Sequence, residues 1–459
     1  MFAMNKWNPS GDGARISMLQ KLAAAACLLL APTLVMAVPS YARQTHQPCA
    51  SCHVGGFGPE LTAFGREFKI NGYTMKVGND TKVPLSAMLV ESFTQTSKAQ
   101  TAPPANGFGT NNNLELQQAS MFLAGRISQY MGVFAQATYS ENGGLLGWDN
   151  TDVRFAHPFS YGDHSGTWGI SLNNNPTLSD VFNSAPAWIF PYMSSNLAPG
   201  APAAPVLFGS LAAQSIGGTV YTQIDGKLYL ELGGYRSLSV AWANRINGPY
   251  DGKLSGLAPY ARAAYTWSVP HGNLTFGGFL LDMKRGPLGT DLNGNTIPVA
   301  GPTDNFNDVG LSGDYQYFLG DNIITVDGIY VHEKQTLNNT YTSGGSSNLH
   351  NSLDSLNVKG SYWYQNTYGF TLAQFINNGS NDLTLYGNNG SPNTQGGTLE
   401  FDYNPFGKST SWHQPYANVR LGLQYIYYTK FSGLIHNVDG AGRNASDNNT
   451  LYAYVWLAI

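Results

Sequence analysis

From residue 83 to the end of the chain, apolar and polar residues alternate in short runs. The clearest run lies near 420–431. Val419, Leu421, Leu423, Tyr425, Tyr427 and Phe431 share one side. Asn418, Arg420, Gln424, Tyr428 and Lys430 share the other, with Ile426 as the exception. Leu356, Val358, Tyr362 and Tyr364 oppose Asn357, Lys359, Ser361, Trp363 and Gln365 in the same way, and Leu228, Leu230 and Leu232 oppose Lys227, Tyr229 and Glu231. A period of two predicts strands with one apolar and one polar face.

The pattern predicts strands near 84–97, 113–125, 128–140, 147–160, 165–174, 213–225, 227–238, 256–268, 273–284, 305–318, 322–334, 353–365, 367–377, 395–404, 415–431 and 449–459. A half-buried soluble sheet would alternate too, so the connections decide. Arg126-Ile127, Asp225-Gly226-Lys227, His271-Gly272-Asn273, Gly320-Asp321-Asn322 and Asn366-Thr367 read as short turns. Between them fall the longer Gly-, Asn- and Pro-rich stretches 175–212, 239–255, 285–304, 335–352, 378–394 and 432–448. Short turns on one side and long loops on the other mark an outer-membrane barrel. The expected fold is all-β: a transmembrane antiparallel barrel of about 16 strands over 83–459, with both termini in the periplasm. The last strand runs to the chain end, which suits closure onto the first, although it ends in Ile459 rather than an aromatic residue. The Pro- and Ala-rich stretch 175–211 could fold into the lumen or cap the outer mouth, but the simpler expectation is a mobile external loop.

Composition narrows the class. Charged residues make up only 11% of the chain, against about 25% in an average soluble protein. There are 27 Tyr and 53 Gly, and mean hydropathy is −0.21. A helical membrane protein would be far more apolar. The net charge of −4, with no Lys/Arg run, argues against a nucleic-acid partner. Few charges with many aromatics suit a surface that meets outer-membrane lipid.

Residues 1–37 read as a secretory signal peptide. Lys6, Arg15 and Lys21 precede an apolar core, and Ala37 ends a small-residue site, with Ala42 as a second candidate. The core, at about 16 residues, is short of the roughly 20 that a spanning helix needs. Cys27 lies in this leader, so the exported chain keeps Cys49 and Cys52, followed by His53. Cys-Ala-Ser-Cys-His is the attachment pattern of a c-type haem. Two thiols add to the two vinyl groups, and two intervening residues let both sulfurs reach one porphyrin edge. The adjacent imidazole is then placed to ligate iron. A zinc site lacks a second Cys pair, and a thioredoxin-like pair lacks its βαβ surroundings.

The segment 38–82 is read as a monohaem cytochrome c unit. Pro59 suits a first helical turn, Glu60 its positive end, Lys69 its last turn and Gly72 its stop. Leu61, Phe64 and Phe68 form an apolar face expected to pack on the haem. Met75 is the expected second axial ligand, with His46 and Met88 as rivals. So short a segment buries too little surface to enclose haem alone, so the rest of the chain must complete the site.

The runs Val38-Pro39-Ser40-Tyr41-Ala42-Arg43-Gln44-Thr45, Cys49-Ala50-Ser51-Cys52-His53 and Phe64-Gly65-Arg66-Glu67-Phe68-Lys69-Ile70-Asn71-Gly72-Tyr73 resemble the fused cytochrome–porins of the bacterial outer membrane. So does Gly442-Arg443-Asn444-Ala445-Ser446-Asp447-Asn448-Asn449-Thr450-Leu451-Tyr452 near the C-terminus. The best-known members oxidise extracellular ferrous iron and pass the electron inward. The resemblance implies one covalent haem c on Cys49 and Cys52 with His53 as proximal ligand. It also implies an external donor such as Fe(II), and a periplasmic cytochrome or copper protein as acceptor. A solute porin with haem as plug or sensor is the alternative. Aromatic relays such as Tyr229 and Trp363 in the lumen, and Fe(II)-attracting loop acids such as Asp291, Asp304 and Asp439, are further expectations.

Overall fold

The computed structural model describes residues 40–78, 84–247, 252–292, 296–387, 389–411 and 417–459. The expected leader over 1–37 and the junction at 82/83 lie outside the described residues.

Sixteen antiparallel strands form one closed barrel. In chain order they are β1 Leu85–Thr96, β2 Asn113–Ser128, β3 Met131–Tyr139, β4 Leu146–Tyr161, β5 His164–Asn173, β6 Ser215–Ile224, β7 Leu228–Ser237 and β8 Ala258–Val269. Then follow β9 Gly272–Gly286, β10 Asp304–Leu319, β11 Asn322–Leu337, β12 His350–Tyr364, β13 Tyr368–Gly379, β14 Thr394–Tyr403, β15 Asn418–Lys430 and β16 Thr450–Ala458. Each pairs with its sequence neighbours, and β16 closes on β1 from Met88↔Ala458 to Thr96↔Thr450. Closure leaves no sheet edge, which is what allows β-structure to lie in lipid.

The alternation sorts side chains as the sequence predicts. Leu232 and Val358 point outward, 69% and 42% exposed, while Glu231 and Lys359 are buried in the lumen. Tyr364, Tyr368 and Trp267 stand outside near the short-turn ends of their strands. Tyr368 stacks on Tyr403 with ring centroids 5.2 Å apart. Such a ring of amphipathic side chains suits the membrane–water boundary. An apolar exterior with this girdle, on a closed barrel, places the chain in the outer membrane.

Short turns and both ends of the barrel chain share one rim. At Asp225 and Gly226 the chain takes φ 53° and 67°, the left-handed pair of a tight hairpin. The turn expected at Arg126-Ile127 falls instead after Ser128, because β2 continues through both residues. The link 404–417 breaks the rule on this rim by being long.

The stretch 174–214 is not a mobile external loop. Leu178, Val181 and Ala185 are fully buried. Arg154 donates to the Ser179 carbonyl at 2.5 Å, Gln117 to Ser194 at 2.7 Å and Gln424 to Met193 at 3.1 Å. All three donors face the lumen, so the stretch folds inward and fills it. Its Pro and Ala content was compatible with either course. The lumen's polar side chains decide, because they supply partners for an irregular backbone that could not be left unpaired in a membrane protein's interior.

Candidate functional site

Residues 40–78 also lie inside the barrel. They form α1 Ser40–Thr45, the single turn α2 Cys49–Cys52 and α3 Ala63–Ile70. Pro48 precedes α2, and one turn of helix places Cys49 and Cys52 on the same side. His53 leaves the helix in an extended conformation and bridges to Leu61. Gly55, at φ 69°, turns the chain back with its open side against the Trp363 ring, where a Cβ would collide. At Gly65 the absent side chain lets α3 rest on the Cys52 carbonyl.

The helix starts later than expected. Thr62 caps it, its Oγ1 accepting from Gly65 N at 3.3 Å, so Pro59 and Leu61 precede α3. Glu60 is therefore free of the helix end and reaches the wall, where Lys359 meets it at 2.5 Å and Asp327 at 2.9 Å. Lys69 does not cap carbonyls of its own helix. Its amine donates to Leu178 O at 3.1 Å and Asn183 Oδ1 at 2.7 Å. Gly72 does end the helical stretch, at φ 68°.

Other wall residues hold the segment from several directions. Arg66 pairs with Asp314, and Gln316 donates to Leu61 O at 2.8 Å. Asn404 donates to Gly55 O at 2.6 Å, Asn418 to Gly56 O at 2.7 Å and Arg420 to Phe57 O at 2.6 Å. The Tyr73 hydroxyl donates to Asp152 at 2.7 Å, and that of Tyr221 to Ile70 O at 2.7 Å. The inward loop roofs the segment: Asn183 donates to Pro59 O at 2.6 Å and Tyr192 to Glu60 at 3.0 Å. The long link 404–417 now has a reason, since Gly407 packs directly on Gly56.

Between this segment and the wall lies a cavity of about 270 Å³. Cys49, Cys52 and His53 line it together, and most of the remaining lining is apolar, including Phe57, Phe68, Phe122, Phe134 and Trp456. The cysteines carry thiols, not a disulfide. Burial pushes Cys49 up to about 11 and Cys52 up to about 12. Burial pushes His53 down to about 4, opposed in part by the Gly58 backbone. The imidazole is therefore neutral near pH 7, the form that ligates metal. Its Nδ1 is buried without a hydrogen-bond partner. A buried polar atom left unpaired beside two thiols and an apolar hollow fits a bound haem.

The structure thus brings together three of the four expected site residues. Met75 is not on the cavity wall; its carbonyl accepts from Gln44 at 2.7 Å. His46 is not on that wall either, whereas Met88 is. Leu61 and Phe68 line the cavity, but Phe64 does not. Met88, Phe122, Asn418 and Trp456 were missed as wall residues. Alternation marks them as facing one side of a strand, but nothing local says which strands face Cys49. Tyr229 and Trp363 are buried in the lumen as expected. Asp304 accepts from Asn339 N at 2.8 Å and Thr340 N at 3.1 Å, and Asp439 from Ala441 N at 2.8 Å, so both serve loop geometry.

No family model matches the chain, and no curated protein matches it. Among solved structures it is similar to an anion-selective porin from Comamonas acidovorans, at 10% identity and TM-score 0.45, over 82% of this chain and 98% of that one. It is also similar to Salmonella typhi OmpF in complex with daunomycin, at 13% identity and TM-score 0.45, over 82% and 97%. Outer-membrane-expressed OmpT of Vibrio cholerae matches at 11% identity and TM-score 0.42, over 83% and 99%. From its own strands, exterior and closure, the chain is a sixteen-stranded outer-membrane β-barrel.

Proposed function

We propose that this barrel is an electron conduit of the fused cytochrome–porin kind. In this reading Cys49 and Cys52 would hold one haem c by thioether bonds, and His53 would ligate its iron. The haem, when bound, supplies a one-electron couple. The observation that carries the reading is the convergence of both thiols and a neutral imidazole on one apolar cavity within the barrel.

The surrounding residues support it. Phe57, Phe68 and Trp456 give the cavity an apolar lining, which lowers the local dielectric. The inner face of β16 continues from Trp456 through Tyr454 to Tyr452, toward the long-loop rim. The last two rings lie 5.4 Å apart. This row shortens the gap left by a single cofactor in a hydrocarbon layer roughly 30 Å thick. The donor is an external one-electron reductant such as Fe(II); the acceptor is a periplasmic cytochrome or copper protein at the short-turn rim. The solute-porin alternative is the weaker reading, because segment 40–78 and loop 174–214 both occupy the lumen.

Stopped-flow spectroscopy of the purified haem-loaded protein with Fe(II) tests the donor. The haem bands should shift to the reduced form. Absence of any change at every accessible pH would remove Fe(II) as the donor.

A further inference from the structure

We infer that Met88, on the barrel wall, is the second axial ligand of this haem. The inference rests on the haem reading and concerns what the barrel adds to it.

The N-terminal segment offers Met75 and His46, and neither lines the cavity. Met88 does, and among the described residues it is the only thioether on that wall. Its position follows from strand register. Met88 of β1 pairs with Ala458 of β16, and Ala458 pairs with Asn418 of β15. Directly paired residues point to the same side, and Asn418 points inward: it donates to Gly56 O at 2.7 Å, and its side chain also bonds the Cys49 thiol. Neighbouring strands are about 4.8 Å apart, so Met88 stands roughly 10 Å along the wall from the residue that touches a haem-anchoring sulfur. Its side chain therefore faces the lumen and lines the cavity.

Other donors on the wall are engaged. The Lys69 amine is bonded to Leu178 O and Asn183, and lies 4.2 Å over the Trp188 ring. The Tyr41 and Tyr73 hydroxyls donate to Val133 O and Asp152, each at 2.7 Å. Met88 packs at the edge of the cluster of Phe57, Val90 and Trp456, which steadies it without covering it.

Two consequences follow. Thioether ligation raises the reduction potential relative to a second histidine. Because His53 belongs to the inserted segment and Met88 to the barrel, iron would join the two parts. Full ligation would require the segment to be seated.

The test uses the full-length haem-loaded protein in detergent. Wild type should show the weak red absorption band of methionine-ligated ferric haem. Met88→Leu should lose this band, take up cyanide without displacing a ligand, and titrate at a lower potential, while covalent haem staining persists. Met88→His should restore a six-coordinate spectrum at a potential below wild type, and Met75→Leu should match wild type. A wild-type protein with covalent haem but no methionine band overturns Met88 whether or not the variants fold. So does a band that survives in Met88→Leu or disappears in Met75→Leu. Wild type without covalent haem overturns the cofactor reading itself, and Met88 with it.

Discussion

Lys359 holds two acids at once, buried Glu60 of the inserted segment and half-buried Asp327 of β11. Replacing it with methionine strands the Glu60 carboxylate away from water. Removing one partner of a buried pair costs about 3–5 kcal/mol. Lys359→Met should lower the urea midpoint of heat-modifiable gel migration; an unchanged midpoint would show that the pair does not secure the segment. Lys69 gives a pH test. Burial lowers its amine to about 7, so the charged form is disfavoured in the folded protein. The unfolded chain binds the extra proton between that value and the ordinary lysine range. Stability should therefore rise with pH from about 7 toward 10. Lys69→Met should flatten that rise; an identical pH profile in the variant would contradict the assignment. The grouping of Cys49, Cys52 and His53 on one cavity wall was legible because the three are local in sequence. Cys52→Ala should leave at most one thioether, so unchanged haem staining and spectra would exclude the attachment. That Met88 rather than Met75 lines the cavity was not legible, since closeness in sequence says nothing about which strand faces a folded segment.

Strands were the most legible elements. Alternation together with the turn and loop pattern located them, with the β2–β3 turn misplaced, because each strand has lipid on one side and a polar lumen on the other. The helix was less clear: Pro59 and Glu60 look like a first turn, yet Glu60 has a stronger partner in Lys359, and Thr62 takes the cap. The inward loop was misread for a related reason. Its Leu178, Val181 and Phe182 have no period, and their burial depends on a barrel that surrounds them. Asp180 fixes this loop: it pairs with Arg262 at 3.0 Å and accepts from Ser184 N at 2.7 Å and Ala185 N at 2.9 Å. Asp180→Ala leaves those donors and a buried guanidinium unpaired. The loop should become cleavable by added protease near 186–210, and ion conductance across planar bilayers should rise. Wild-type conductance together with protease resistance would mean that the loop is held by packing alone.

The whole molecule explains why so long a chain carries so few charges. Its outer face meets lipid, and many of its charges are turned inward, where Arg66, Lys359, Arg420 and Arg154 tie the inserted segment and loop to the wall. The long-and-short loop pattern revealed a barrel, but not that the barrel is filled. The proposed conduit for electrons differs from a pore for solutes in what crosses a sealed membrane, and transfer across one tests the proposal most directly. Proteoliposomes carrying the haem-loaded protein would enclose oxidised soluble cytochrome c, with Fe(II) held outside by a membrane-impermeant chelator. The enclosed cytochrome should be reduced with wild type and not with Cys52→Ala, while a small external sugar stays outside. Enclosed cytochrome that stays oxidised, or free entry of the sugar, would contradict the conduit.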